Sequence, residues 1–247
     1  MTRPTLLIHG LFGNLKVPQI LTPFVHLDMD IHTPDLIGYG SLAEQPTDRL
    51  VLTDQAEHIA TYITSNNLGP VNLVGHSVGG AVAVFLVKRH PELVASLISV
   101  EGNFTLKDAF WSEKISRTAL PEVEEIIQGY KVDSDGWIAT SGVEITDWTS
   151  ALAYSWLGNQ PASTIKAQAR AVVQATDNLE YLNIIRDLLR SDMPFSLIAG
   201  ENSASGWDVP EWVREMATED IVIPGTGHLM MLQEPEIFAQ SVLKCCR

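Results

Sequence analysis

One short segment limits what this chain can fold into more than any other: Gly75-His76-Ser77-Val78-Gly79-Gly80. It follows the apolar run Val71-Asn72-Leu73-Val74 and leads into an amphipathic stretch that ends at His90, before Pro91. A serine between glycines two residues away on either side, with a strand before it and a helix after it, marks a sharp strand-to-helix turn. Such a turn leaves no room for flanking side chains and holds the serine in a strained conformation. It also aims the free N–H groups and positive dipole end of the helix at charge developing beside the hydroxyl. Gly80 lets the helix lie close to the sheet. The competing reading is an ordinary glycine-rich connection, and the flanking strand and helix patterns weigh against it.

The rest of the chain supplies a sheet for that turn. Six short apolar runs occur: Thr5-Leu6-Leu7-Ile8, residues 29–33, Val71-Asn72-Leu73-Val74, Leu97-Ile98-Ser99-Val100, Phe195-Ser196-Leu197-Ile198-Ala199 and Ile221-Val222-Ile223. Longer amphipathic stretches separate them, which predicts a parallel sheet covered by helices. Helices are predicted near 48–66 and 80–90, and from Pro235 toward Cys245. Asp208-Val209-Pro210-Glu211 has the pattern of a capped helix start, with Asp at the cap and Glu three residues later. Between the fourth and fifth runs the pattern is helical only, at 121–131, 143–157, 161–176 and 179–190. An insertion of about 90 residues is too long for a simple crossover. Residues 103–192 are therefore expected to form a helical cap over the carboxyl ends of the strands. Residues 1–102 and 193–247 form the core, in one integrated domain.

Composition limits the partners. At 247 residues with 45% hydrophobic content, one domain can bury roughly three quarters of its unfolded surface. The formal charge of −14 repels phosphate backbones and anionic membrane surfaces, so neither nucleic acid nor membrane is an expected partner. Cys245 and Cys246 are adjacent and close no useful loop, so they give no sign of an oxidising compartment. No apolar run approaches 18 residues, and the segment before His9-Gly10 is too short for a signal peptide. A soluble cytoplasmic protein acting on a small molecule is the expectation.

A serine hydroxyl is a poor nucleophile until a base removes its proton. Seven histidines are available. His228, in Gly225-Thr226-Gly227-His228 after the sixth run, lies on a loop at a strand's carboxyl end and late in the chain, which suits a base. His76 is inside the turn, with its ring expected to point away from the serine. His9 is expected to organise its own loop, and His26, His32, His58 and His90 to be solvated or structural. An oxyanion hole needs two N–H groups aimed at one point. His9-Gly10-Leu11-Phe12-Gly13 can supply one from Leu11, and Val78 the other, with Phe12 as pocket wall.

Together the 9–13 loop, the Gly75–Gly80 turn and the Pro224-Gly225-Thr226-Gly227-His228-Leu229-Met230-Met231-Leu232-Gln233-Glu234-Pro235 segment resemble the α/β-hydrolase superfamily. The resemblance covers nearly the whole chain, with the insertion the least alike. It implies a Ser–His–acid triad, no cofactor, no metal, and an active site at the carboxyl ends of the strands. Two departures stand out. The chain starts at what would be the third strand, so about six mostly parallel strands are expected, without the usual first hairpin. The second concerns the acid. The family places an aspartate after the penultimate strand, where this chain has Gly200-Glu201-Asn202-Ser203. Glu101, which ends the apolar run after the nucleophile helix, is the leading candidate, because some members carry the acid there and a buried carboxylate needs a partner. Glu201 stands second and Asp208 third.

The insertion carries Phe104, Phe110, Trp111, Trp137, Trp148, Tyr154 and Trp156. Aromatics at helical spacing serve a core more often than a pocket, but a cap must present some of them to the site. Phe12, His76, Trp111 and Leu229 are the expected substrate contacts. No basic cluster favours a strongly anionic substrate. A carboxylic ester or lactone of a mostly apolar small molecule, cleaved through an acyl-enzyme, is the expected reaction. Carbon–carbon bond cleavage, a lyase, a natural-product cyclase and a ligand-binding receptor with little turnover are the alternatives, since fold does not fix function.

Overall fold

Each of the six apolar runs becomes a strand, and all the strands pair in parallel. The computed structural model describes residues 3–246. Its strands are β1 (Thr5–Ile8), β2 (Ile31–His32), β3 (Val71–His76), β4 (Val94–Val100), β5 (Phe195–Gly200) and β6 (Glu219–Ile223). They lie in the order β2-β1-β3-β4-β5-β6. β1, β3 and β5 are buried along their whole length, as a sheet covered on both faces requires. The edge strand β6 instead alternates between exposed and half-buried residues until Ile223, and its Glu219 and Asp220 blunt an open edge.

Strand alternation divides the core in two. Leu6, Ile8, Leu73, Leu97 and Leu197 face one side, packed with α2 (Leu52–Ser65) and α3 (Val78–Arg89). Leu7, Val74, Ile98 and Ile198 face the other, packed with α1 (Pro18–His26) and α12 (Pro235–Cys245). The period-2 pattern of each strand thus sends alternate side chains into separate apolar layers.

Between β4 and β5 come six helices: α4 (Phe110–Arg117), α5 (Leu120–Val132), α6 (Ser134–Ala139), α7 (Asp147–Gly158), α8 (Ala162–Thr176) and α9 (Leu179–Leu189). α4 and α5 pack on α8, and α6 packs on α7. α9 packs on α3 and on α10 (Glu211–Met216). Its apolar face (Tyr181, Ile184, Ile185 and Leu188) joins the layer below the sheet, so the last helix of the insertion also covers the sheet.

Helices α1, α4, α6 and the short α11 (Met230–Gln233) were not evident from periodicity. α1 has Pro18 in its first turn and Pro23 inside it, and the others span eight residues or fewer. The expected cap at Asp208 is a correction. α10 starts at Glu211 with Pro210 at the capping position. Pro210 has no N–H to offer a cap at Asp208, and the Asp208 carboxylate does not take the one that remains, that of Glu211. Asp208 instead accepts hydrogen bonds from Thr105 Oγ1 at 2.7 Å and Lys107 Nζ at 3.2 Å. No described helix is long and apolar enough to cross a membrane.

The chain order reverses between β1 and β3, which are neighbours in the sheet. At such a reversal the loops leaving the two strands open away from each other and leave a crevice at the carboxyl ends. The 9–13 loop and Ser77 lie at that point. The two segments approach closely: a Cβ on Gly79 would lie 2.5 Å from the Ile8 carbonyl oxygen and 2.6 Å from that of His9. Both neighbours are backbone and cannot swing aside. Gly79→Ala should therefore destabilise the protein by about 2–3 kcal/mol, read as a lower urea midpoint at unchanged slope.

Candidate active site

Ser77 sits between β3 and α3 with φ 54° and ψ −124°. A non-glycine residue held there is strained by roughly 1–3 kcal/mol and persists only where its surroundings fix it. The fixing bonds are Ser77 N–H to the Val100 carbonyl at 3.0 Å and Gly80 N–H to the Ser77 carbonyl at 2.9 Å. A Cβ on Gly75 would lie 2.5 Å from the Gly79 carbonyl oxygen, so glycine is required where the helix turns back over the strand. The N–H of Val78, in the first turn of α3, donates to no described residue, and neither does that of Leu11. Both residues line the same cavity as Ser77.

His9 orders the loop after β1. Its ring is buried, and burial pulls its pKa down to about 4, so it is neutral at neutral pH. One ring nitrogen, Nδ1, lies 2.8 Å from the Gly10 carbonyl, and the Leu36 N–H points at Nε2 across 3.4 Å. These contacts assign the proton to Nδ1. The bond fixes the Gly10 carbonyl, and in a trans peptide the N–H of Leu11 then points the opposite way. Tyr39 adds a hydrogen bond from its hydroxyl to the Leu11 carbonyl at 3.0 Å.

His228 Nδ1 lies 2.6 Å from Glu101 Oε2. Glu101 follows β4 with φ 42°, so each of two adjacent strands is followed by a strained polar residue. Its carboxylate is buried, with its second oxygen accepting from the Gly200 N–H at 2.9 Å and the Ser203 hydroxyl at 2.5 Å. Burial alone would raise the pKa of this carboxyl. The bond and charge of His228, with the two further donors, outweigh burial and hold it below the usual 4.5. The remaining carboxylate candidates lie elsewhere. Glu201 accepts from the Gly225 N–H at 2.8 Å on the surface, and Asp208 bonds Thr105 and Lys107.

The imidazole of His228 is partly exposed. Among the described residues, neither its Nε2 nor the Ser77 hydroxyl has a hydrogen-bond partner, and both residues front the cavity. His76 holds the His228 loop from below. Its Nε2 lies 2.9 Å from the His228 carbonyl, with ring centroids 4.6 Å apart. Burial, reinforced by the neighbouring His228, lowers the His76 pKa to about 3, so its Nε2 carries a proton it can donate while the ring stays uncharged.

The cavity measures about 1130 Å³, above the usual range for a drug-sized ligand. Phe12 forms its aromatic centre, edge-on to Trp111 at 5.2 Å and to Trp137 at 5.3 Å, while Trp137 stacks on Tyr130 at 6.1 Å. Phe12, His76, Trp111 and Leu229 all line it. Among the described residues no cluster of His, Cys, Asp or Glu could hold a metal ion.

Two site features escaped the sequence reading. Ser203 stands where the aspartate was expected, yet bonds to the carboxylate that came from the neighbouring strand. Trp207 donates its indole N–H to the Gly102 carbonyl at 2.7 Å, bracing the turn that carries Glu101. The missing aspartate was the signal for Ser203; nothing in local pattern pointed to Trp207.

Residues 5–241 match the Alpha/beta hydrolase family, and the chain belongs to it. A Bos taurus "(Lyso)-N-acylphosphatidylethanolamine lipase" is 23% identical, over 98% of this chain and 79% of its own. A Saccharomyces cerevisiae "Probable alcohol acetyltransferase" is 31% identical over 102 residues, 40% of this chain but only 30% of the yeast protein's length. An esterase from Exiguobacterium antarcticum superposes with a TM-score of 0.74 at 18% identity, covering 98% of this chain and 91% of that one.

The Glu101 environment sets a pH dependence of stability. Its folded pKa lies below the unfolded value, so its contribution is present in full above about 4.5 and is lost as pH falls through the folded value. Glu101→Gln should therefore melt below the parent protein at pH 7, and the gap should close as the pH is lowered from 5 toward 3, measured by calorimetry.

Proposed function

We propose that this hydrolase cleaves a carboxylic ester or lactone of a mostly apolar small molecule through an acyl-enzyme on Ser77. The observation that carries the reading is the 2.6 Å pair of His228 Nδ1 and Glu101 Oε2, facing the cavity that Ser77 enters from a strained turn. In the proposed reaction His228 Nε2 takes the proton of Ser77 as Oγ attacks the carbonyl carbon. Glu101 holds the tautomer and balances the imidazolium. The carbonyl π pair becomes the oxyanion, which the Leu11 and Val78 N–H groups receive. Collapse breaks the bond to the leaving oxygen, which takes the proton from His228. Water then enters and gives a proton to His228 as its oxygen bonds the acyl carbon; collapse of this second oxyanion breaks the bond to Ser77 Oγ, which takes the proton back from His228 as the acid leaves. The two unbonded atoms, Ser77 Oγ and His228 Nε2, meet when substrate closes the site, a tightening common in catalytic hydrogen bonds.

Phe12, Trp111, Trp137 and Leu229 give the cavity its apolar character and support an aromatic or medium-length acyl portion. The helices of residues 103–192 supply the far wall, which supports their role as a cap. His76, with its ring nitrogen bonded to the His228 carbonyl, serves the pocket mainly by fixing that loop. The likeness to the yeast protein favours one variation, in which an alcohol intercepts the acyl-enzyme in place of water.

Labelling with a fluorophosphonate, combined with a chain-length series of chromogenic esters and lactones, tests the reading. Wild-type protein should label and turn over, and Ser77→Ala should lose both, by on the order of 10⁴-fold or more in rate. Glu101→Gln should lose about 10³- to 10⁴-fold in kcat. Labelling that persists in Ser77→Ala, or a Glu101→Gln enzyme of near-normal rate, would overturn the assignment. Product analysis with added alcohol separates transfer from hydrolysis.

A further inference from the structure

We infer that Gln160 and Asn159, just after α7 in the inserted helices, are positioning residues that set the oxyanion hole by clamping Gly13. The inference rests on the hydrolase reading above and adds a requirement to it: the insertion shapes the catalytic loop as well as the pocket.

Three contacts converge on one residue. The Gly13 N–H donates to Gln160 Oε1 at 3.2 Å, and the Gly13 carbonyl accepts from Asn159 Nδ2 at 2.9 Å. The Trp156 indole lies flat against the remaining face, so close that a Cβ on Gly13 would come within 2.2 Å of the ring. Both amides are themselves held. Gln160 is 3% exposed, and its Nε2 donates to the Trp156 carbonyl at 2.9 Å. Asn159 Oδ1 accepts from Asn14 Nδ2 at 3.2 Å, and its carbonyl accepts from Gly40 N–H at 2.8 Å. The cluster therefore ties the 156–160 turn to two loops of the core at once.

The Trp156 ring is itself 4% exposed, and its packing against Gly13 leaves that position no room for a side chain.

The mechanical reason lies in the loop itself. Gly10 and Gly13 carry little intrinsic conformational preference, and Gly13 sits at φ 74°. Bonds from His9 and Tyr39 fix the Gly10 and Leu11 carbonyls from the core side. The Gly13 backbone is held by the 156–160 turn. His9 sets the orientation of the Gly10–Leu11 peptide, and the grip on Gly13 sets where the loop carries that peptide relative to the Val78 N–H; released there, the two donors would no longer meet at one point. A misplacement near 1 Å can cost about 10²-fold in rate.

The test uses the full chain with Gln160→Met, which keeps the volume and removes both amide contacts. The kcat per fluorophosphonate-titrated site should fall about 10- to 100-fold, while KM stays within about twofold. Affinity for a trifluoromethyl ketone, which forms the oxyanion, should fall by the same factor. Deuterium exchange of the 9–14 segment, read by mass spectrometry, should accelerate while that of β3 does not. Asn159→Ala, at a less buried position, should repeat the pattern and serves where Gln160→Met fails to fold. A loss confined to the number of titrated sites or to melting temperature, with kcat per site unchanged, would overturn the inference. Unchanged exchange in 9–14 would do the same. Failure of the hydrolase reading has its own signature, wild-type protein that neither labels nor turns over. The exchange comparison still decides the clamp in that case.

Discussion

Between β1 and β3 two backbones meet with no side chain between them, and most of the site follows from that contact. Gly79 lies against the Ile8 and His9 carbonyls, which seats the first turn of α3 over the end of β1. That seat fixes Val78 N–H relative to Leu11 N–H, although 67 residues separate them in the chain. It also explains the strain at Ser77. A helix forced so close to its own preceding strand leaves the linking residue no ordinary conformation, and the hydrogen bond from Ser77 N–H to Val100 holds it there.

The electrostatics of the pocket floor follow from burial. Two buried titratable groups sit beside His228, and their surroundings drive them to different states. His76 is desolvated and stays neutral, free to donate to the His228 carbonyl without adding a cation beside His228. Glu101 is equally buried but stays charged, because three donors compensate what water no longer supplies. His228 retains exposure. The cavity thus has an uncharged ring beneath it, a fixed anion beside it and a partly exposed imidazole facing it.

Much of this was legible in the sequence. The six apolar runs carried the sheet, because strands buried on both faces leave continuous hydrophobic stretches that end where polar loops begin. Their ends pointed to the positions of Ser77, Glu101 and His228, since ligand crevices lie at the carboxyl ends of parallel strands. What stayed illegible depends on distance through space. The bond from Ser203 to Glu101 spans 102 residues, and the bond from Gly13 to Gln160 spans 147; no local pattern encodes either. The Asp208 cap failed because its carboxylate bonds Thr105 and Lys107, more than 100 residues earlier in the chain. The short helices α4 and α6 lack the length over which a 3.6-residue period becomes visible.

The hydrogen bond between Ser203 and Glu101 joins the ends of two strands. β4 and β5 are neighbours, so their two strand ends lie about one ladder spacing, ~4.8 Å, apart. The same imidazole can be served from either. A second carboxylate at that separation would compete for a proton, and one of the two would titrate upward. The serine at 203 keeps a hydrogen bond to Glu101 without adding a second negative charge beside it.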